Sequence, residues 1–152
     1  MHEFTHYQVR DIMTLNPVAV PPHARLRELE AIFEAHDFNA LPVIDAERRL
    51  VGMVTKLDLL RAFAFGPESM IPLYKDIMER KAEKALNPFP ETVAPETPVT
   101  RVLHLMVESR KKSFPVVDDG VLEGIVARED VLRTLREASE GRLPNRLTGQ
   151  HP

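Results

Sequence analysis

The chain has no cysteine. Disulfide frameworks, thiolate metal sites and a thiol nucleophile are thereby excluded together. No apolar run approaches the roughly 20 residues that a membrane helix needs. The opening Met1-His2-Glu3-Phe4 lacks the charged-then-apolar pattern of a signal peptide, so a soluble, cytoplasmic protein is expected. Aromatics are sparse, at 6%. Charge of one sign is lacking as well: 20 basic residues face 23 acidic ones, for a net charge of −3. Charged residues are interspersed, and no run is longer than Arg110-Lys111-Lys112. Neither nucleic acid nor a membrane is an expected partner on that balance. Glycine is scarce, six residues against thirteen prolines, which suits stiff loops.

Catalytic patterns are missing too. Ser109 and Ser113 have no His/Asp constellation, and nothing resembles a nucleophile elbow. No Walker or dinucleotide-binding glycine motif occurs. The six histidines, His2, His6, His23, His36, His104 and His151, are scattered, and no metal site is expected from their spacing. What remains is a chain of 152 residues, 43% hydrophobic. That is enough for one compact domain or two small lobes.

Internal repetition organises it. Leu41-Pro42-Val43-Ile44-Asp45 recurs as Phe114-Pro115-Val116-Val117-Asp118, 73 residues on. Pro17-Val18-Ala19-Val20 recurs as Pro90-Glu91-Thr92-Val93 at the same shift. Val51-Gly52-Met53-Val54 recurs as Glu123-Gly124-Ile125-Val126 at a shift of 72, and Asp11-Ile12-Met13 as Asp76-Ile77-Met78 at 65. The second copy therefore carries eight extra residues after Met78 and a hairpin turn one residue shorter.

Each copy reads β-α-β-β-α. A short strand (18–20; 92–93) precedes a helix with apolar positions Leu26, Leu29, Ile32 and Phe33, or Val99, Val102, Leu103, Leu105 and Met106. Thr97 before Pro98 predicts a capping hydroxyl followed by proline at the first helical position. Two apolar strands follow (41–44 and 50–54; 114–117 and 121–126). A closing helix ends each copy (56–65; 128–139). The extra stretch 79–86 is predicted to extend a helix until Asn87-Pro88 breaks it. One copy is too small to cover its own sheet, so two α+β copies stacking their apolar faces explain the duplication.

Three marks and their second copies carry a resemblance: Asp11-Ile12-Met13, Leu41-Pro42-Val43-Ile44-Asp45 and Gly52-Met53-Val54-Thr55-Lys56-Leu57-Asp58. The chain resembles the tandem CBS (cystathionine-β-synthase) domain pair, or Bateman module. The resemblance implies an α/β (α+β) fold with two repeats packed about a pseudo-twofold axis. Repeat one spans 8–65, a linker 66–74, repeat two 75–138 with its insertion at about 79–86, and a flexible tail 139–152. It implies clefts for adenosine derivatives such as AMP, ADP, ATP or S-adenosylmethionine, a homodimer, and regulation of an enzyme or transporter. With no length left for a catalytic domain, a stand-alone, non-enzymatic regulatory module is expected. The alternative is an interaction and dimerisation module with vestigial clefts.

The segment Gly-x-x-Thr-x-x-Asp lies where a strand turns into a helix. Backbone N–H groups there, with a hydroxyl, can hold a phosphate. A carboxylate one turn in can accept from both ribose hydroxyls. In the family the threonine faces phosphate and the aspartate ribose. The same pattern is also a helix capping box. The second copy, Gly124-Ile125-Val126-Ala127-Arg128-Glu129-Asp130, loses the hydroxyl and keeps the carboxylate, which favours ligand contact for Asp58 and Asp130. The resemblance draws each cleft from both repeats. One would combine Thr55 and Asp58 with Glu91, Thr92, Lys112, Ser113 and Phe114, with Lys112 reaching a phosphate. The other would combine Arg128 and Asp130 with Asn16, Val18, Phe38, Asn39 and Ala40. Ala127 cannot bond a phosphate and Glu129 repels one, so the second cleft is expected to be the weaker.

Overall fold

The computed structural model describes residues 3–64 and 73–141. The linker residues 66–72, Phe65 at the expected end of the closing helix, and the tail beyond residue 141 lie outside the described residues. The described chain divides into two compact units, Val18–Pro90 and Met1–Pro17 with Glu91–Pro152. The units do not coincide with the sequence repeats. Asp11-Ile12-Met13 belongs with the strands of the second copy, and Asp76-Ile77-Met78 with those of the first.

In order along the chain, the helices are α1 (Val9–Ile12), α2 (Leu26–Ala35), α3 (Lys56–Arg61), α4 (Tyr74–Met78), α5 (Val99–Ser109) and α6 (Arg128–Ser139). The strands are β1 (Thr14–Leu15), β2 (Ala40–Ile44), β3 (Leu50–Thr55), β4 (Ser113–Asp118) and β5 (Val121–Ala127). The β-α-β-β-α order expected of each copy is present, its first strand reduced to a single parallel bridge, Val20 to Val43 and Val93 to Val116.

In the unit Val18–Pro90, α2 forms because Leu26, Leu29 and Phe33 fall on one face, and all three are buried. Its start is held by Glu28, whose Oε2 accepts from the Arg25 N–H at 2.7 Å. β2 and β3 pair antiparallel, with Leu41 opposite Val54 and Ala40 opposite Thr55. Leu41, Val43 and Val54 pack on Leu26, Leu29, Phe33, Ile77 and Met78. The stretch after Met78 departs from the expected helix extension. The chain leaves α4, and Ala82 enters a short 3-10 turn, Ala82–Lys84. Tertiary bonds outweigh helix propensity here: Ala82 N–H donates to Ala24 O at 2.7 Å and Leu26 N–H to Arg80 O at 2.9 Å. Ala82 is fully buried.

In the other unit, β1, β5 and β4 form one antiparallel sheet in that order. Its core joins Val9, Ile12 and Met13 to Val99, Val102, Phe114, Val116, Val126 and Val131. Phe4 and Tyr7, ahead of the expected start at residue 8, are buried in the same core. The capping expectation for Thr97 is not met. Pro98 occupies the cap of α5 without a side-chain bond, and the Thr97 hydroxyl instead accepts from the Ala94 N–H at 2.9 Å. It closes the preceding turn, a local competitor of the cap for the same residue type.

The two matched strand glycines, Gly52 and Gly124, owe their identity to space, since neither has a positive φ. A Cβ on Gly52 would stand 2.5 Å from Asn87 O, and one on Gly124 would stand 2.6 Å from Thr14 O. The exchanged segment runs that close to each hairpin: Asn87 and Met53 exchange backbone bonds of 2.8 and 3.1 Å, and Leu15 pairs with Gly124.

Candidate functional site

Each unit has a corner where its hairpin turns into a helix, and most of the expected site residues collect at these corners. In the unit Val18–Pro90, Thr55 ends β3 and caps α3. The Asp58 N–H donates to Thr55 Oγ1 at 3.2 Å, while Asp58 Oδ2 accepts from the Thr55 N–H at 2.8 Å and from its hydroxyl at 2.9 Å. Asp58 is 8% exposed. Among the described residues, its other oxygen, Oδ1, accepts from Arg61, at 3.2 Å, and the Arg61 side chain is 68% exposed. The pairing of Ala40 with Thr55 sets Asn39 and Ala40 beside this cap, both half-buried. Phe38, half-buried, stacks on His36 with ring centroids 4.7 Å apart. Val18, in the same unit, is 43% exposed.

In the other unit, Ala127 ends β5, and Asp130 sits one turn into α6. The carboxylate half of the capping box persists alone: Asp130 Oδ2 accepts from the Ala127 N–H at 2.8 Å. The loss of the hydroxyl therefore does not argue against capping, a correction to the sequence reasoning. The helix only needs an acceptor for its orphan N–H groups, and a carboxylate at the third position supplies one. Asp130 Oδ1 accepts from Arg133 at 2.7 Å, and that arginine is 33% exposed. Capping and ligand contact are not exclusive, because each box uses Oδ2 and, among the described residues, leaves Oδ1 to an arginine. Arg61 and Arg133 went unnoticed in the sequence, although Asp-x-x-Arg recurs at the same shift as the glycines.

Two of the expected residues are engaged elsewhere. Phe114 is fully buried in the core, so its ring is not free to pack on a base. The Arg128 guanidinium is committed to backbone: Nε donates to Lys111 O at 3.1 Å, and Nη2 to Arg110 O. Its N–H also donates to Lys112 O at 3.0 Å. Ser113 lies opposite Ala127 and is half-buried. Lys112, Thr92 and Asn16 are exposed in the same unit, Asn16 with a positive φ of 46°. The strand registers thus place Ala40 beside Thr55 and Ser113 beside Ala127, each within one hairpin. No group of three or more His, Cys, Asp or Glu suited to a metal occurs among the described residues.

Burial raises the Asp130 pKa above the usual carboxylate value, aided by Glu129. It outweighs the Ala127 N–H and Arg133, which act the other way. A folded pKa above the unfolded one means that the native state binds the proton more tightly. The associated stability is fully present below the unfolded value and is lost as pH rises through the folded value. We therefore expect wild type to lose stability relative to Asp130→Asn as pH is raised across the carboxylate range, with the difference level above it. Urea unfolding of both proteins across that range checks this; a difference moving the other way would overturn it.

The family model of the CBS domain matches residues 9–65 and 75–137, and the chain belongs to that family, as a pair of repeats. It is similar to CBSX2, solved in complex with AMP: 28% identity, 88% of this chain and 98% of that one covered, TM-score 0.75. It is similar also to the CBS domain pair of protein MJ0100, solved with 5′-methylthioadenosine and S-adenosyl-L-methionine: 26% identity, 87% and 98% covered, TM-score 0.69. A curated relative, the A-adding tRNA nucleotidyltransferase of Aquifex aeolicus, is 28% identical over 138 residues. The match takes in 91% of this chain but 15% of that protein.

Proposed function

We propose that this chain is a regulatory module that binds an adenosyl ligand, AMP, ADP, ATP or S-adenosylmethionine, and transmits occupancy to a partner enzyme or transporter. The observation that carries the reading is the pair of corners built on Asp58 and Asp130. Each presents a buried carboxylate whose Oδ2 is fixed by backbone and whose Oδ1 meets one arginine. Such an oxygen is pre-oriented to accept from ribose hydroxyls once the arginine swings away. The complexes of the CBSX2 and MJ0100 proteins with adenosyl compounds support that ligand class. The strand registers favour grouping each carboxylate with its own hairpin: Asn39, Ala40 and Thr55 with Asp58; Lys112 and Ser113 with Asp130.

The module acts without catalysis: a ligand with unequal affinity for two arrangements shifts their populations. A cytoplasmic setting is part of this reading; among the described residues no helix is long and apolar enough to cross a membrane. Homodimerisation belongs to the same reading, and it is supported by apolar side chains left outside: Leu60 on α3 is 68% exposed and Leu132 on α6 is 65% exposed. Those residues also favour the second reading, a purely interacting module.

Isothermal titration with AMP, ADP, ATP and S-adenosylmethionine separates the two. At least one dissociation constant well below about 1 mM is expected, since millimolar binding is worth only ~4 kcal/mol. Failure of all four leaves the interaction module.

A further inference from the structure

The two corners are related by the repeat, yet their charges differ. The first, residues 37–40 and 55–61, holds Lys56 and Arg61 against Asp37 and Asp58. The second, residues 110–113 and 127–133, holds Arg110, Lys111, Lys112, Arg128 and Arg133 against Glu129 and Asp130. Asp37, Phe38 and Asn39 in one copy become Arg110, Lys111 and Lys112 in the other. The basic run is fixed in place. Arg128, the first residue of α6, binds all three of its carbonyls, through Nη2 to Arg110, Nε to Lys111 and its backbone N–H to Lys112. The three side chains of the run are exposed. None of them enters the ion pairs found among the described residues, whereas Arg133 is matched by Asp130.

We infer that the corner formed by residues 110–113 and 127–133 is a polyphosphate site, and that the chain discriminates between adenosyl ligands by charge, corner by corner. ATP or ADP is directed to the second corner, and an adenosyl compound with little negative charge to the first. The inference rests on the adenosyl reading and sharpens it. The missing hydroxyl at Ala127 removes one neutral donor. Three cations on one fixed segment, outside the ion pairs among the described residues, more than replace it for a ligand carrying several charges, because each pair of opposite charges adds its own attraction. They offer nothing to an uncharged nucleoside.

The test is calorimetry on the full chain without magnesium, using tripolyphosphate, ATP and adenosine as probes. It compares wild type with Lys111→Glu/Lys112→Glu and with Lys75→Glu/Lys84→Glu, an equal change of net charge at exposed positions in the other unit. Wild type should bind tripolyphosphate, with affinity falling as salt rises. Lys111→Glu/Lys112→Glu should weaken tripolyphosphate and ATP by more than about tenfold and adenosine by less than about twofold, because only the charged arm is repelled. Lys75→Glu/Lys84→Glu should leave all three within about twofold, because neither lysine belongs to the corner and exposed charges are screened by salt. Absence of tripolyphosphate binding to wild type, or equal loss in both variants, overturns the inference. If adenosine fails to bind while tripolyphosphate binds and is lost only in Lys111→Glu/Lys112→Glu, the polyphosphate site stands and the adenosyl reading falls.

Discussion

Gly124→Ala is expected to destabilise the protein by about 2–3 kcal/mol, the upper part of the range for forcing a methyl into a packed site, and to lower Tm by roughly 5–10 °C for a chain of this size. The added Cβ would stand 2.6 Å from Thr14 O and 2.9 Å from Met13 Sδ. The sulfur can rotate aside. The carbonyl cannot, because β1 is paired there, with Leu15 opposite Gly124 and Thr14 opposite Ile125. Relief therefore requires β1 to move off β5, which exposes Ile12 and Met13, both part of that unit's core. Gly52→Ala should behave alike, since its Cβ meets Asn87 O at 2.5 Å. Gly141→Ala is the control: it has a positive φ of 73° but open space around it, so the conformational cost alone, about 1–2 kcal/mol, applies. Thermal and urea unfolding of the three variants decide the matter. If Gly124→Ala is no worse than Gly141→Ala, the close approach of the exchanged segment is not what selects glycine.

That glycine shows where sequence reasoning stops. The hairpins and the helices α2, α5 and α6 were legible because their apolar spacing is local and occurs twice. The closing helix of the second copy was expected at 128–139 and is found as Arg128–Ser139. The first copy's was expected at 56–65, whereas α3 ends at Arg61. Which hairpin receives Asp11-Ile12-Met13 is a long-range choice that no window of sequence contains. Only the matched glycines, each needed where a foreign backbone passes, hinted at it. Thr97 and residues 79–86 were misread for a related reason: a nearby turn and a distant backbone compete for the same polar groups, and propensity does not weigh that competition. At the site, the aspartates were legible because the repeat set one beside the other. The cleft role expected of Phe114 set aside the apolar strand it belongs to, in which Phe114, Pro115 and Val116 are buried in succession.

Asp58→Ala is expected to weaken adenosine binding by about tenfold to a hundredfold, the worth of hydrogen bonds to a charged acceptor, and by more than Asp130→Ala does. The ranking follows from the arginines. Arg61 holds Asp58 at 3.2 Å with 68% of its side chain exposed, whereas Arg133 holds Asp130 at 2.7 Å with 33% exposed. The looser ion pair frees Asp58 Oδ1 at smaller cost, so ribose hydroxyls gain more there. Both variants also lose a capping acceptor, worth about 1 kcal/mol of stability, and folding must be measured beside binding. Asp58→Asn separates the two roles. Its amide oxygen still accepts from the Thr55 N–H, so most of the stability should return, while the lost charge keeps adenosine affinity low. Stability recovered without affinity marks Asp58 as a ribose acceptor. Stability lost in Asp58→Ala with adenosine affinity unchanged would reduce it to a helix cap. Equal losses in Asp58→Ala and Asp130→Ala would show that the grip of the neighbouring arginine does not decide which corner takes the nucleoside.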